Sequence, residues 1–206
     1  YKKILHPHSG PEIWSSSVTT LPKEKTKEEF DKDPVLYRFN YQLNKSGLVT
    51  KNVLKPNFEW SCEDISDIKN NYKLEKYIIL FPFSSAHLTI KRWPFYNELI
   101  QKIKEKFENK YQLVVAPGPN EIKIANEINA KIILNNERAL NISQLSALIK
   151  DSSFVVANDT GPAHMAAHLN AKGLVLFGSH TTAKKVSIER ENFRAIQVSD
   201  LTKLSA

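Results

Sequence analysis

The sequence has little cysteine and no long apolar run, and both absences limit what the protein can be. Cys62 is the single cysteine among 206 residues, so no disulfide can form within the chain, and no cysteine and histidine cluster has zinc-ligand spacing. A reducing compartment fits best. The longest strongly apolar run, near Tyr77–Phe83, is far too short to span a bilayer. The N-terminus, Tyr1-Lys2-Lys3, lacks the apolar stretch of a signal peptide.

The overall composition is that of a folded chain with a basic surface. Hydrophobic residues make up 41% and charged residues 25%, close to globular averages, which argues against wholesale disorder. The 29 Lys and Arg residues against 22 Asp and Glu residues give a formal net charge of +7. This charge favours partners that carry phosphate, and nucleic acid, nucleotide and an anionic membrane surface all qualify. Because the chain begins at Tyr1, we expect it to be part of a longer protein.

The first 60 residues have a less regular pattern than the rest. A short strand at Lys2–Leu5 and a helix over 34–43 are predicted, and Ser61 is expected to cap a following helix because Glu63 and Asp64 would sit at its positive end. The pattern predicts two parts, residues 1–60 and residues 61–206.

From Tyr77 onward, apolar runs of strand length alternate with amphipathic segments of helical length. The predicted strands are Tyr77–Phe81, Gln112–Ala116, Lys131–Ile133, Phe154–Ala157, Gly173–Phe177 and Phe193–Val198. The predicted helices are Pro94–Phe107, Asn120–Asn129, Ile142–Lys150 and Pro162–Asn170. This alternation predicts an α/β fold with a parallel, doubly wound sheet. Ligands of such sheets bind at the carboxyl ends of the strands.

Polar side chains follow the first two of these strands. Ser84 and Ser85, with Lys91 and Arg92 further along, come after the first strand and could bind a phosphate. The alternative is a solvated loop with two surface cations. Glu121 comes after the second strand and could accept from the hydroxyls of a ribose, or could only interact with the helix dipole.

The turn after the fourth strand has the most distinctive composition. Asp159, Thr160 and Gly161 form a tight strand-to-helix turn, and His164 lies in the first turn of the helix that follows. Small residues let a diphosphate approach the backbone, while a hydroxyl, amides and an imidazole donate to its oxygens. Capping alone would explain Asp159 or Thr160 but not the whole cluster. The turn Gly178-Ser179-His180 repeats the pattern after the next strand, and together the turns favour a nucleotide-like anion.

These motifs, in this order, resemble glycosyltransferase family nine, which includes the heptosyltransferases of lipopolysaccharide core assembly. The residues that carry the resemblance are Lys91-Arg92-Trp93-Pro94, Gly118-Pro119-Asn120-Glu121, Asn158-Asp159-Thr160-Gly161-Pro162-Ala163-His164-Met165-Ala166-Ala167 and Leu176-Phe177-Gly178. The resemblance covers residues 77–200 well and residues 1–60 loosely.

The resemblance implies the C-terminal, donor-binding half of a GT-B enzyme, which has two facing Rossmann-like domains. It assigns the donor's diphosphate and departing sugar to Ser84, Ser85, Lys91, Asp159, Thr160, Gly161 and His164. It assigns the ribose and base to Glu121, Asn141 and Ile142. Residues 1–60 would be the remnant of the N-terminal acceptor domain and the linker, and 61–206 the donor-binding domain.

The same resemblance implies metal-independent, inverting transfer of a sugar, with heptose from ADP-heptose and a lipopolysaccharide acceptor as the family expectation. Neither a metal nor a cofactor is expected, and no nucleic acid. A cytoplasmic location is implied, and contact with the anionic inner membrane stays open. The catalytic residues are unknown, because the family's general base lies in the N-terminal domain.

One departure from the family pattern and two alternatives accompany this reading. Phe81-Pro82-Phe83 stands where the family usually has His-Pro-Gly, so close backbone approach at that turn is in question. A GT-B-shaped nucleotide-sugar epimerase or hydrolase would use the same turns but would need an acid/base carboxylate pair. A non-catalytic nucleotide-binding or nucleic-acid-binding module is the other alternative, and the latter would combine basic residues with exposed aromatics.

Overall fold

The computed structural model describes residues 21–45, 47–48, 51–85 and 87–206. The strand predicted at Lys2–Leu5 lies outside these residues. The chain divides into two units, one made of the described residues up to Pro56 together with Lys184–Ser187, and the other of Asn57–Ala183 and Ile188–Ala206. The assignment of residues 1–60 to an acceptor-domain remnant stays a prediction.

The first unit contains the helices α1 at Lys27–Lys32 and α2 at Val35–Lys45, and Lys184–Ser187 adds most of a short helix that begins at Ala183. Thr26 caps α1 through a capping box, in which its side chain accepts from the Glu29 amide and the Glu29 carboxylate accepts from the Thr26 amide. The reciprocal bonds satisfy two amides that the helix leaves unpaired. The helix predicted over 34–43 is confirmed as α2.

The remainder of the chain alternates strands with helices. The strands are β1 Tyr77–Phe81, β2 Gln112–Val115, β3 Lys131–Ile132, β4 Phe154–Asn158, β5 Gly173–Phe177 and β6 Phe193–Gln197. The helices are α3 Ser66–Tyr72, α4 Tyr96–Lys106, α5 Ile122–Ala125, α6 Ile142–Lys150, α7 Gly161–His168 and α8 Ala183–Val186. Short 3₁₀ helices lie at Glu59–Ser61, Thr89–Lys91 and Leu201–Lys203.

All six strands pair in parallel, in the order β3-β2-β1-β4-β5-β6. In register, Ile78 of β1 lies between Leu113 of β2 and Phe154 of β4. The chain thus builds outward from β1 on one side and then on the other, which is the strand order of the Rossmann fold. The predicted doubly wound α/β sheet is confirmed, and its switch point lies between β1 and β4.

Both faces of the central strands are buried. Ile78 and Leu80 of β1 join a core cluster with Trp93 and Tyr96 on one face, while Ile79 is fully buried on the other. A strand covered on both faces must be apolar at successive positions, since neighbouring side chains point to opposite sides. This explains the uninterrupted apolar run that marks β1 in the sequence.

Two local predictions are wrong. The helix predicted over 120–129 ends at Ala125, where the Asn126 side chain donates to the Lys123 carbonyl and so competes with helical bonding. Ser61 does not cap a helix. It lies in a 3₁₀ turn, where its hydroxyl contacts the Phe58 carbonyl at 2.7 Å and the Ser146 hydroxyl at 2.8 Å. The helix begins at Ser66 instead.

The buried side chain of Asn158, at the end of β4, fixes both ends of the loop that follows β1. Its amide nitrogen donates to the Pro82 carbonyl at 2.7 Å, and its oxygen accepts from the Trp93 amide and the Tyr96 hydroxyl, each at 3.3 Å. Pro82 and Trp93, the two ends of this loop, are therefore held by one side chain from the neighbouring strand.

Replacement of Asn158 by alanine is expected to destabilise the protein. The Asn158→Ala change leaves the buried Pro82 carbonyl and Trp93 amide without this partner, so we expect a loss of about 2–4 kcal/mol in the free energy of unfolding, measured by urea denaturation. Asn126→Ala, at an exposed position, is the matched control and should change stability by less than about 0.5 kcal/mol. Equal effects of the two changes would contradict the role given to Asn158.

The acid sensitivity of the fold is expected to depend on His168, in the last turn of α7. Burial lowers the pKa of His168 from 6.5 to about 4. The charge of Arg190, whose Nη2 lies 3.2 Å from His168 Nδ1, acts in the same direction. Since the unfolded chain binds this proton more readily, the stability present above the unfolded pKa is lost as pH falls toward about 4. Between about pH 7 and about pH 4.5, His168→Gln should lose about 1–2 kcal/mol less stability than the wild type, after allowance for partial exposure. Equal losses in urea denaturation would contradict this assignment.

Candidate functional site

A cavity of about 420 Å³ lies at the carboxyl edge of the sheet, at the switch point. Its walls come from the segments that follow β1, β2, β3 and β4. Eight of the ten predicted site residues line it: Ser84, Ser85, Lys91, Glu121, Asp159, Thr160, Gly161 and His164. The strand-end prediction thus brings together residues that are up to 80 positions apart in the chain.

Asn141 and Ile142 do not line the cavity, although they were predicted to lie beside a base. Asn141 caps α6, where its side chain accepts from the Gln144 amide at 2.8 Å. Ile142 begins the helix with its side chain 65% exposed. Leu140 and Leu145, which flank these residues, form the apolar wall instead. The role of Asn141 and Ile142 toward a base stays a prediction.

One of the two serines in the loop after β1, Ser84, makes hydrogen bonds within that loop. Ser84 is buried, and its hydroxyl donates to the Leu88 carbonyl at 3.0 Å and accepts from Arg92 Nε at 3.2 Å. Arg92 also donates to the Ser84 carbonyl at 2.8 Å. Arg92 is therefore a structural cation of the loop, while Ser85 is exposed on the cavity wall.

Phe83, which replaces the glycine usual in the family, is accommodated at this turn. Its ring is half-buried, packs against the core cluster and lines the cavity. The loop therefore presents an aromatic side chain where the family pattern would bring backbone close to a ligand.

Asp159 is the most strongly bonded ionisable group of the site. Its side chain is 4% exposed, and its Oδ2 accepts from Lys91 Nζ at 2.6 Å and lies 3.0 Å from His180 Nε2. His164 Nε2 lies 3.7 Å from Oδ1 and is a weaker partner. Burial acts to raise the pKa of Asp159, but the donors His164, Lys91 and His180 outweigh it and hold this pKa well below its ordinary value. Asp159 is therefore an anion throughout the physiological range.

Lys91 and the start of α7 are the groups of the cavity that can attract an anion. Among the described residues that line it, Lys91 is the only lysine or arginine. α7 begins at Gly161 with Pro162 in its first turn, and the positive end of its dipole faces the cavity residues Thr160 and Gly161. A Cβ added to Gly161 would meet nothing within 4 Å, so there is open space above this helix terminus. Lys91 lines the cavity and at the same time forms a salt bridge with Asp159.

Glu121 closes the turn after β2. Its Oε2 accepts from the Gly118 amide at 2.8 Å, and the Glu121 amide donates to the Gly118 carbonyl at 2.9 Å. A Cβ at Gly118 would lie 3.2 Å from Glu121 Oε2, so glycine makes room for the carboxylate. These contacts hold Glu121 on the cavity wall, where the sequence predicted a ribose contact.

His180 was missed as a site residue by sequence reasoning, which placed it only in a polar turn after β5. The structure brings it to Asp159 because β4 and β5 are neighbours and their carboxyl ends meet. Its ring stacks on Phe177, with centroids 5.9 Å apart and an interplanar angle of 16°. Within the described part of the chain, no cluster of His, Cys, Asp or Glu side chains could hold a metal ion.

A Rossmann-like sheet with a cation, hydroxyls, a helix N-terminus and a carboxylate around a cavity at its switch point is an arrangement typical of nucleotide-binding folds. The pattern of glycosyltransferase family 9 (heptosyltransferase) matches residues 15–199. The chain belongs to this family. None of the curated proteins compared with the chain matches it.

Three solved structures share the fold at low sequence identity. A glycosyltransferase family 9 protein from Veillonella parvula aligns with a TM-score of 0.61 and 16% identity, covering 86% of this chain and 51% of that one. E. coli heptosyltransferase WaaC with ADP aligns with a TM-score of 0.58 and 18% identity over 84% of this chain and 54% of that one. E. coli ADP-heptose LPS heptosyltransferase II aligns with a TM-score of 0.55 and 21% identity, covering 77% of this chain and 49% of that one. The chain thus spans about half the length of these proteins, and the fold is a GT-B half.

Ser84 and Ser85 are expected to differ in their effect on stability. Ser84→Ala removes the donor to Leu88 and the acceptor of Arg92, and should lower the free energy of unfolding by about 1–2 kcal/mol. Ser85→Ala removes an exposed hydroxyl and should change it by less than about 0.5 kcal/mol. Urea denaturation of both variants measures this difference, and a wild-type stability of Ser84→Ala would show that the loop does not depend on this hydroxyl.

Proposed function

We propose that the chain supplies the donor site of a glycosyltransferase that transfers a sugar from a nucleoside diphosphate to a glycan acceptor. The observation that carries the proposal is the convergence of Lys91, Glu121, Asp159 and the start of α7 on one cavity. Family membership and the fold shared with heptosyltransferases support it. The finer proposal is heptose from ADP-heptose, transferred with inversion to a lipopolysaccharide core acceptor.

The diphosphate would lie between Lys91 and the N-terminus of α7. As the glycosidic bond breaks, the bonding electrons stay with the diphosphate oxygen, and the leaving group gains negative charge. A lysine ammonium and oriented helix amides stabilise such charge without a metal. The exposed hydroxyl of Ser85 would donate to a phosphate oxygen, whereas the hydroxyl of Ser84 makes hydrogen bonds within the loop. We therefore propose metal-independent transfer with no cofactor.

The nucleoside would extend toward the segments that follow β2 and β3. Glu121 would accept from the ribose hydroxyls, and Leu140 with Leu145 would form an apolar surface for the base. ADP is the nucleotide proposed, because the E. coli heptosyltransferase WaaC structure that shares this fold contains ADP.

The acceptor and the general base are proposed to lie outside this chain, which spans about half the length of the structures it matches.

Among the described residues, none of the helices has both the length and the apolar character that a membrane crossing needs. With the net charge of +7, we propose a cytoplasmic protein that contacts the anionic face of the inner membrane.

Calorimetric titration with ADP, UDP and GDP, without added metal, tests the donor-site proposal. We expect ADP to bind most tightly. Lys91→Ala should weaken ADP binding by about tenfold or more, since charge-assisted hydrogen bonds to phosphate are the stronger kind, and Glu121→Ala by about threefold to tenfold.

Lys106→Ala and Glu127→Ala are the matched controls, since both residues are exposed and do not line the cavity. Neither should change the affinity for ADP by more than about twofold. Preferential binding of UDP or GDP would replace ADP-heptose by another donor. Absence of binding to the folded wild-type chain would overturn the donor-site proposal.

A further inference from the structure

Lys91 faces two anions in the proposed donor site. Its Nζ donates to Asp159 Oδ2 at 2.6 Å, and it lines the cavity proposed for a diphosphate. A short bond to a buried carboxylate is strong, because both charges are partly removed from water. A diphosphate that binds to Lys91 must therefore compete with Asp159.

The competition would leave Asp159 in an unfavourable position without another donor. Its side chain is 4% exposed, and a buried carboxylate that loses its partner is strongly destabilised. His180 Nε2 is 3.0 Å from the same oxygen. The His180 side chain is 9% exposed and does not line the cavity, so a ligand that enters the cavity does not displace it.

The surroundings of His180 determine which form of the ring donates. Its Nδ1 is buried and has no hydrogen-bond partner among the described residues. A doubly protonated ring would bury an N–H group without an acceptor, which is costly. Nε2 is therefore the ring nitrogen whose N–H group has an acceptor, and it donates to Asp159. This bond holds the carboxylate in place.

We propose that Asp159 and His180 form a release pair for Lys91. Asp159 holds Lys91 in the empty site, a bound diphosphate takes Lys91 over, and His180 keeps the freed carboxylate hydrogen-bonded and in position. This inference rests on the proposed function, because it requires a diphosphate in the cavity. Asp159 therefore lowers the affinity of the cavity for a diphosphate. It forms its salt bridge with Lys91 again when the nucleoside diphosphate leaves after sugar transfer.

The test is the affinity for ADP, which contains the diphosphate and no sugar, so that contacts of Asp159 with a sugar do not contribute. Asp159→Asn removes the competing charge and should tighten ADP binding by about tenfold, while loss of a supporting side chain would weaken it. Asp151→Asn is the matched control. Asp151 pairs with Lys69 at 2.8 Å and does not line the cavity. The substitution changes the net charge equally, and its affinity should stay within about twofold of the wild type.

His180 is tested in two backgrounds. His180→Ala should weaken ADP binding by about threefold to tenfold, because the carboxylate then depends on Lys91 and on His164, whose Nε2 lies farther away at 3.7 Å. His180→Gln should restore part of the loss through its amide donor. In the Asp159→Asn background, His180→Ala should leave the affinity unchanged. A purely structural role of His180 would weaken binding in both backgrounds.

The outcomes separate this inference from the proposed function. Wild-type binding of ADP with unchanged or weaker binding by Asp159→Asn overturns the release pair and leaves the donor site standing. Absence of ADP, UDP and GDP binding to the folded wild type overturns both. If thermal unfolding shows that Asp159→Asn is not folded, Asp159→Ser removes the same charge with a smaller side chain, and the same criterion applies to it.

Discussion

The hydrogen bonds of the buried Asn158 amide are the constraint on which the site depends. Asn158 ends β4, and it reaches across to β1 to bind the carbonyl of Pro82 and the amide of Trp93. These two groups are the ends of the loop that carries Ser84, Ser85 and Lys91. A loop of this length would otherwise sample many conformations. One side chain thus holds both ends of the loop, while Ser84 and Arg92 make hydrogen bonds within it.

The next residue along the chain, Asp159, acts on the same loop by charge rather than by amide geometry. Asn158 makes neutral bonds to backbone groups that a ligand does not reach, whereas Asp159 makes a charged bond to Lys91, which lines the cavity. The first kind of bond persists when the cavity is filled, because nothing competes for its partners. The second is open to competition by any anion that enters. Asn158 therefore makes hydrogen bonds that stay in place, while the adjacent residue Asp159 makes a bond that an entering anion can replace.

Much of the fold and most of the site could be predicted from the sequence. The apolar runs that became β1 and β5 have the predicted bounds, since strands covered on both faces leave no polar residue to blur the pattern. The strand-end rule then placed eight of the predicted site residues on one cavity. The ends of helices were less predictable. The early end of α5 depends on a side-chain hydrogen bond of Asn126, and such bonds differ only slightly in energy from the backbone bonds that would extend the helix.

Contacts between side chains were beyond the reach of sequence reasoning, and they change how the site is understood. The sequence places Lys91 and Asp159 on neighbouring loops, but the distance that makes them an ion pair depends on how the loop after β1 folds beside the end of β4. His180 likewise reaches Asp159 only because β5 is the next strand outward. Lys91 and Asp159, which the sequence assigns separately to a diphosphate, therefore form a bonded network with His180 in the folded chain. A ligand must rearrange that network rather than fill it, so the affinity of the site is set by a difference between two sets of bonds and not by the number of groups that face the cavity.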